Sequence, residues 1–149
     1  MKPLPASLVD TDVFSLVYVN KSSTDIRVAG WKLHLTGRRV LISFQTRAEA
    51  LSGARSAGWG TTRMSRLMDI LDRMPTINTD DDVVDAYATL AADCRRIGHA
   101  LQGKRHSGDR WIAACAIAKG LELVAGDAIY SGAPKLDLFT ATSNGGVVL

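Results

Sequence analysis

The sequence predicts an α/β fold, a central and mainly parallel sheet flanked by helices on both faces. Three observations predict it. Short apolar runs alternate with amphipathic segments along the chain. The β-branched run Val40–Phe44 meets helical punctuation at once. No internal repeat or linker interrupts the alternation over 149 residues, the usual size of one domain. Apolar residues make up 46% and charged residues 22%, which excludes a disordered chain, a collagen-like fibre and a coiled coil. No apolar run approaches the roughly 20 residues of a membrane span. The start, Met1 to Ser7, lacks the apolar core of a signal peptide, so a cytoplasmic chain is expected.

Taken in order, Leu8–Phe14 reads as a buried strand interrupted by Asp10 and Asp12, and residues 15–19 start a helix. Ser22 to Asp25 offer N-cap residues for a helix over Ile26–Leu33, and Thr36–Arg39 is a turn. Val40–Phe44 is a second buried strand. Thr46 and Glu49 then fit a capping box, followed by the small-residue stripe Ala50, Leu51, Ala54 and Ala57. Ala57–Gly60 breaks that helix. Met64, Leu67, Met68 and Leu71 recur at i, i+3, i+4 and i+7, an amphipathic helix ended by Met74-Pro75. Thr76–Asn78 is a short strand.

Asp80, Asp81 and Asp82 place anions at the positive end of the next helix dipole. Its core face runs from Val83 to Ile97, and Gly98 is its C-cap. Trp111–Ala118 is apolar all round, a buried helix capped by Gly120. Leu121–Ala125 is a strand with its turn at Gly126-Asp127, and Leu136–Phe139 is a last edge strand. The tail, residues 141–149, is rich in Gly, Ser and Asn and is expected to be loose. Cys94 and Cys115 lie in apolar-patterned segments without zinc spacing, so they are expected as buried thiols.

In open parallel sheets, ligands bind beyond the carboxyl ends of the strands. Asp10 (with Asp12), Glu49 and Asp127 fall where a strand or helix changes hands, and Asp109 opens the buried helix. Each has a plain local explanation: a capping box for Glu49, an N-cap for Asp109, an Asx turn for Asp127, a helix cap for Asp12. Asp10 resists one, because a buried carboxylate without a partner or cation costs several kcal/mol. Clustered carboxylates repel unless some stay protonated or a hard cation such as Mg²⁺ or Mn²⁺ joins them. Such an ion polarises a phosphodiester and acidifies a bound water, so the convergence points to metal-dependent phosphoryl transfer or hydrolysis.

Leu8-Val9-Asp10-Thr11-Asp12-Val13 resembles the opening of PIN-domain ribonucleases, particularly VapC-type toxins of toxin–antitoxin pairs. Ile42-Ser43 through Glu49-Ala50-Leu51 and Gly53-Ala54 resembles that family's second motif. Asp109 to Ala114 resembles the third, and Leu123 to Tyr130 the fourth. The resemblance implies a single PIN-like domain over residues 1–149, and an endoribonuclease with Asp10, Glu49, Asp109 and Asp127 as catalytic Mg²⁺ or Mn²⁺ ligands. It also implies Asp12 as a polar group behind them, a homodimer, and a small antitoxin that blocks the site. Two positions depart from the family pattern: Gly108 stands where Asn or Ser is common, and Ala125 where Thr is common.

Arg95, Arg96, His99, Lys104, Arg105, His106 and Arg110 concentrate before the Asp109 helix. Arg95, Arg96, Lys104, Arg105 and Arg110 are candidates for RNA phosphate contacts. Helix-end cations and a solvated loop explain the run equally well. The net charge of +3 permits a phosphate-bearing partner without requiring one. Aromatic content of 6% argues against a stacking platform for single strands. Trp31, Trp59 and Trp111 are expected in the core or an interface, and the Met64/Met68 helix offers an adaptable surface to an antitoxin or second subunit. Two other functions stay open: a receiver-like signalling domain, which also pairs acids after its first strand, and an inactive PIN-like scaffold that only binds a partner.

Overall fold

The computed structural model describes residues 3–141 and 147–148. The strands are β1 (Ala6–Val9), β2 (Arg39–Ser43), β3 (Thr76–Ile77), β4 (Glu122–Ala125), β5 (Leu138–Ala141) and β6 (Val147–Val148). The helices are α1 (Thr11–Phe14), α2 (Arg27–Leu35), α3 (Phe44–Ser56), α4 (Thr61–Arg73), α5 (Asp81–Ile97) and α6 (Ser107–Lys119). The sheet order is β3-β2-β1-β4-β5-β6. The first five strands are parallel and β6 pairs antiparallel to β5. A receiver-like sheet has the order 2-1-3-4-5, so the topology departs from that alternative.

Period-two alternation divides the core. Leu8 and Leu123 face one side, where α5 and α6 bring Leu90, Cys94, Ile112 and Cys115. Their chain neighbours Val9 and Val124 face the other, with Phe14, Trp31, Ile42, Leu67 and Leu71. Each fully buried aliphatic side chain contributes about 1.5–3 kcal/mol. In α6, Ala113, Ala114 and Ala116 are fully buried, so small side chains let the helix lie close to the sheet. Both cysteines are buried free thiols, as the apolar patterning implied.

Asp80 caps α5 by accepting the Val83 N–H at 2.9 Å. Gly98 ends that helix at φ 74°, a left-handed conformation that an L side chain resists. Two expectations are corrected. The strand read over Leu8–Phe14 stops at Val9, and Thr11–Phe14 is helical because Asp10 caps it. A π-helical turn follows over Ser15–Val19. The capping box read at Thr46 is absent: Ser43 caps α3 by accepting the Thr46 N–H at 3.1 Å, which starts the helix at Phe44 and frees Glu49.

At the amino end of the sheet, Ser7 donates to Glu122 at 2.7 Å, and His34 and Arg38 converge on the same carboxylate. His34 stacks on Phe139 with centroids 3.6 Å apart, so the cluster ties α2 to β1, β4 and β5. Of the tail expected to be loose, Ala141 lies in β5 and Val147–Val148 form β6. Residues 142–146 and 149 lie outside the described residues.

Candidate active site

β1 and β4 are parallel neighbours, with Val9 opposite Val124, so both carboxyl ends open on one edge of the sheet. Asp10 is the first residue beyond β1. Its Oδ1 accepts the Val13 N–H at 2.8 Å and its Oδ2 accepts the Gly126 N–H at 3.0 Å. The side chain thus caps α1 and ties β1 to the turn after β4. Asp10 is 2% exposed. Burial pushes its carboxyl up to about 7 against the pull of those two N–H groups, and the charge of Asp12 adds to the rise.

The other acids sit on neighbouring segments. Glu49, on α3, accepts hydrogen bonds from Thr11 Oγ1 and, at 3.2 Å, from Gln45 Nε2. Thr11 also meets the Thr46 hydroxyl at 3.0 Å. Asp109 sits in the first turn of α6, where its Oδ2 lies 2.9 Å from His106 Nδ1 and its Oδ1 accepts from the buried Tyr130 hydroxyl at 3.3 Å. Arg105 Nε donates to His106 Nε2 at 3.1 Å, so the same imidazole links Arg105 to Asp109. Asp127 is exposed and accepts the Ile129 N–H at 2.9 Å, the expected Asx turn.

Hydrogen bonds join these segments: Thr11 to Glu49, the Gly126 N–H to Asp10, and Tyr130 to Asp109. Asp12 is raised by its surroundings and then by Asp127, Asp109 and Glu49, with Arg27 pulling the other way. The Tyr130 hydroxyl is held protonated by burial and by Asp10, Asp109 and Glu49. Four segments far apart in sequence therefore meet at one edge. Neither Asp12 nor Asp109 caps a helix with its side chain, so those two local explanations fail.

The departures at Gly108 and Ala125 have structural counterparts. A Cβ on Gly108 would stand 2.7 Å from Gln45 Nε2 and 3.0 Å from Glu49 Oε1. The Gln45 amide fills that space and orients Glu49. Ala125 is buried and brings no hydroxyl. Support for the neighbouring turn comes from Arg27, whose Nη1 donates to the Gly126 carbonyl at 2.7 Å. Its guanidinium also binds Asp25 and lies 4.9 Å from the Trp31 ring centroid. Sequence reading missed Thr11, Gln45, Arg27 and Tyr130. Only Thr11, next to Asp10, carried a local signal.

The basic cluster is less available than its sequence implies. Arg110 is corrected as a phosphate contact: it is 8% exposed, donating from Nη1 to the Leu101 and Gly103 carbonyls and from Nε to Tyr87 Oη. His99 is engaged by Leu101 N–H and the Ser131 carbonyl, and His106 belongs to the acid site. Arg96 pairs with Asp93 at 3.2 Å. Arg95, Lys104 and Arg105 are exposed. Trp31 is fully buried, Trp111 stacks on Tyr87 at 4.0 Å, and Trp59 lies half-buried under the Arg63 guanidinium.

Among the described residues, no three His, Cys, Asp or Glu side chains stand ready-made as a metal cage. The donors on this edge are carboxylate oxygens, the type a hard divalent cation prefers, and burial of Asp10 disfavours its charged form in the absence of a cation. Each carboxylate oxygen that accepts one N–H or O–H keeps a further lone pair.

A family model described as PIN domain matches residues 7–136. No curated protein sequence matches the chain significantly. Among solved structures, VapBC2 from Rickettsia felis, bound to a promoter DNA fragment, is similar at 21% identity and TM-score 0.72, covering 91% of this chain and 98% of that one. DNA-bound VapBC from Salmonella typhimurium is similar at 19% identity and TM-score 0.72, covering 92% and 98%. VapBC-5 from Mycobacterium tuberculosis is similar at 24% identity and TM-score 0.60, covering 89% and 96%.

Proposed function

This chain belongs to the PIN-domain family, and on that premise we propose that it is a metal-dependent endoribonuclease, the toxin of a toxin–antitoxin pair. What supports the reading is how the acid-bearing segments meet: Asp10 and Asp127 follow the carboxyl ends of the neighbouring strands β1 and β4, Thr11 reaches Glu49, Tyr130 reaches Asp109, and Asp10 is buried. The solved complexes it resembles are VapBC assemblies, which supports a small antitoxin as partner. The reading extends to a homodimer acting in the cytoplasm and to one PIN domain over residues 1–149. No helix among the described residues is long and apolar enough to cross a membrane.

In this reading Asp10, Glu49, Asp109 and Asp127 hold Mg²⁺ or Mn²⁺. When bound, the ion neutralises the carboxylates, polarises an RNA phosphodiester and lowers the pKa of a water. The protein contributes orientation. Val13 and Gly126 N–H groups fix the Asp10 carboxylate. Thr11 and Gln45 fix Glu49, and His106 and Tyr130 fix Asp109. Arg27 braces the Gly126 turn and offsets the charge of Asp12, which stands behind the ligands.

The test is cleavage of total RNA with Mg²⁺ or Mn²⁺ and with chelator, comparing the wild type with Asp10→Asn. Metal-dependent cleavage lost in the variant supports the reading. Cleavage by Asp10→Asn at the wild-type rate refutes the assigned chemistry. One second reading is a partner-binding scaffold without turnover, which the likeness to VapBC assemblies supports as well. It predicts antitoxin binding and no RNA cleavage with any divalent ion.

A further inference from the structure

A groove of about 900 Å³ runs from the acid site along α4. One end is Thr11 and Glu49, both already part of the site. Its wall carries Lys21, Arg63, Arg66 and Arg73, against Asp69 as the one acid beyond Glu49. All four cations are exposed, and among the described residues none pairs with a carboxylate. Arg63, Arg66 and Arg73 follow one another at near-helical spacing, so they share one face of α4. From the first to the last, the helix rises about 15 Å at 1.5 Å per residue, about the rise of four stacked nucleotides. The Arg63 guanidinium lies 3.8 Å from the centroid of the Trp59 ring, on a half-buried indole that holds it as a flat cationic shelf. Arginine planes accept RNA bases by stacking as well as phosphates by charge.

We propose that this groove is the path of the RNA strand on one side of the scissile phosphate, with Arg63, Arg66 and Arg73 holding phosphates spread along about four nucleotides and the Arg63–Trp59 shelf carrying a base. The proposal rests on the endoribonuclease reading and deepens it. It moves the main phosphate contacts from the loop before α6 to the exposed face of α4. The excess of cations, the continuity with the acids and the shelf favour a polyanion with planar bases. The occupant is therefore RNA, not a protein helix laid on the apolar floor.

The test uses the full chain carrying Asp10→Asn, with Mg²⁺ present and a fluorescent single-stranded RNA of about 20 nucleotides. Arg63→Ala/Arg66→Ala/Arg73→Ala should weaken binding by about tenfold or more at low salt. It should also lower the slope of log K against log salt by about 2, near 0.7 per lost single-strand phosphate contact. Arg39→Ala, an exposed cation at the amino end of β2, should change neither. With Asp10 restored, the triple variant should raise KM for RNA and leave kcat unchanged, and its circular dichroism should match the parent. If the Asp10→Asn chain binds no RNA and the chain with Asp10 restored cuts none, the endoribonuclease reading falls and this proposal with it. If the Asp10→Asn chain binds RNA and the chain with Asp10 restored cuts it, but the triple variant keeps its Kd and salt slope, the groove proposal alone is overturned and a protein partner becomes its occupant.

Discussion

Asp10→Asn should make the metal-free protein more stable at about pH 8 and leave it no more stable at about pH 4. The reasoning starts from burial. The Asp10 carboxyl is pushed from 3.8 to about 7 in the fold. At 1.36 kcal/mol per pKa unit, the folded chain carries a penalty of roughly 4 kcal/mol once the group ionises. Because the folded pKa is the higher one, the native state binds more protons than the unfolded state between about pH 4 and 7. Stability therefore falls as pH rises through that window and levels off on either side. Asparagine removes the ionisation but accepts through one oxygen, so it satisfies Val13 or Gly126 and not both. That loss costs about 1–2 kcal/mol, while the cap on α1 is retained. The net expectation is a variant about 2–3 kcal/mol more stable above pH 7 and about 1–2 kcal/mol less stable near pH 4. Urea unfolding in EDTA, followed by circular dichroism across this range, measures the difference. A difference that stays flat with pH would refute burial as the source of the raised pKa.

The remaining predictions concern the same edge and its opposite. Mg²⁺ at about 100 times its Kd should stabilise the wild type by about 2.7 kcal/mol at about pH 8, and a thermal midpoint that does not move would argue against the site. The same addition should leave Asp10→Asn unshifted. Gly108→Ser should destabilise by about 1–3 kcal/mol through overpacking against Gln45 and Glu49. Gln45→Ala in the same chain should relieve part of that loss, a coupling a double-mutant cycle reads directly. Glu122→Gln should cost about 1–3 kcal/mol at neutral pH. Burial raises this carboxyl, but hydrogen bonds from Ser7 and His34 and the charge of Arg38 hold it below its usual range. Its contribution is therefore present above the ordinary carboxylate pKa and is lost as pH falls through the lowered value, so the cost of Glu122→Gln should shrink in acid unfolding experiments.

Residue pattern alone determined the layered α/β organisation. Val40–Phe44 and Leu121–Ala125 are apolar enough to read as buried strands, and Met64 to Leu71 carries its period openly. Asp10 stood out because a carboxylate inside an apolar run is costly without a partner; the structure buries it and supplies the Val13 and Gly126 N–H groups, so it also has the local capping role that the sequence did not disclose. Local sequence misread the ends. It placed a strand through Phe14 and a cap at Thr46, because side-chain capping by Asp10 and Ser43 depends on backbone angles that apolar pattern does not encode. Only tertiary packing decided the rest. Arg27 reaches the Gly126 carbonyl, Tyr130 reaches Asp109 and Gln45 fills the space above Gly108 across wide sequence separations. Arg110, basic in sequence and next to Asp109, turns inward because the Leu101 and Gly103 carbonyls claim its guanidinium. Periodicity is a property of one segment, whereas charge neutralisation and hydrogen-bond partnership belong to segments that meet only when the sheet forms.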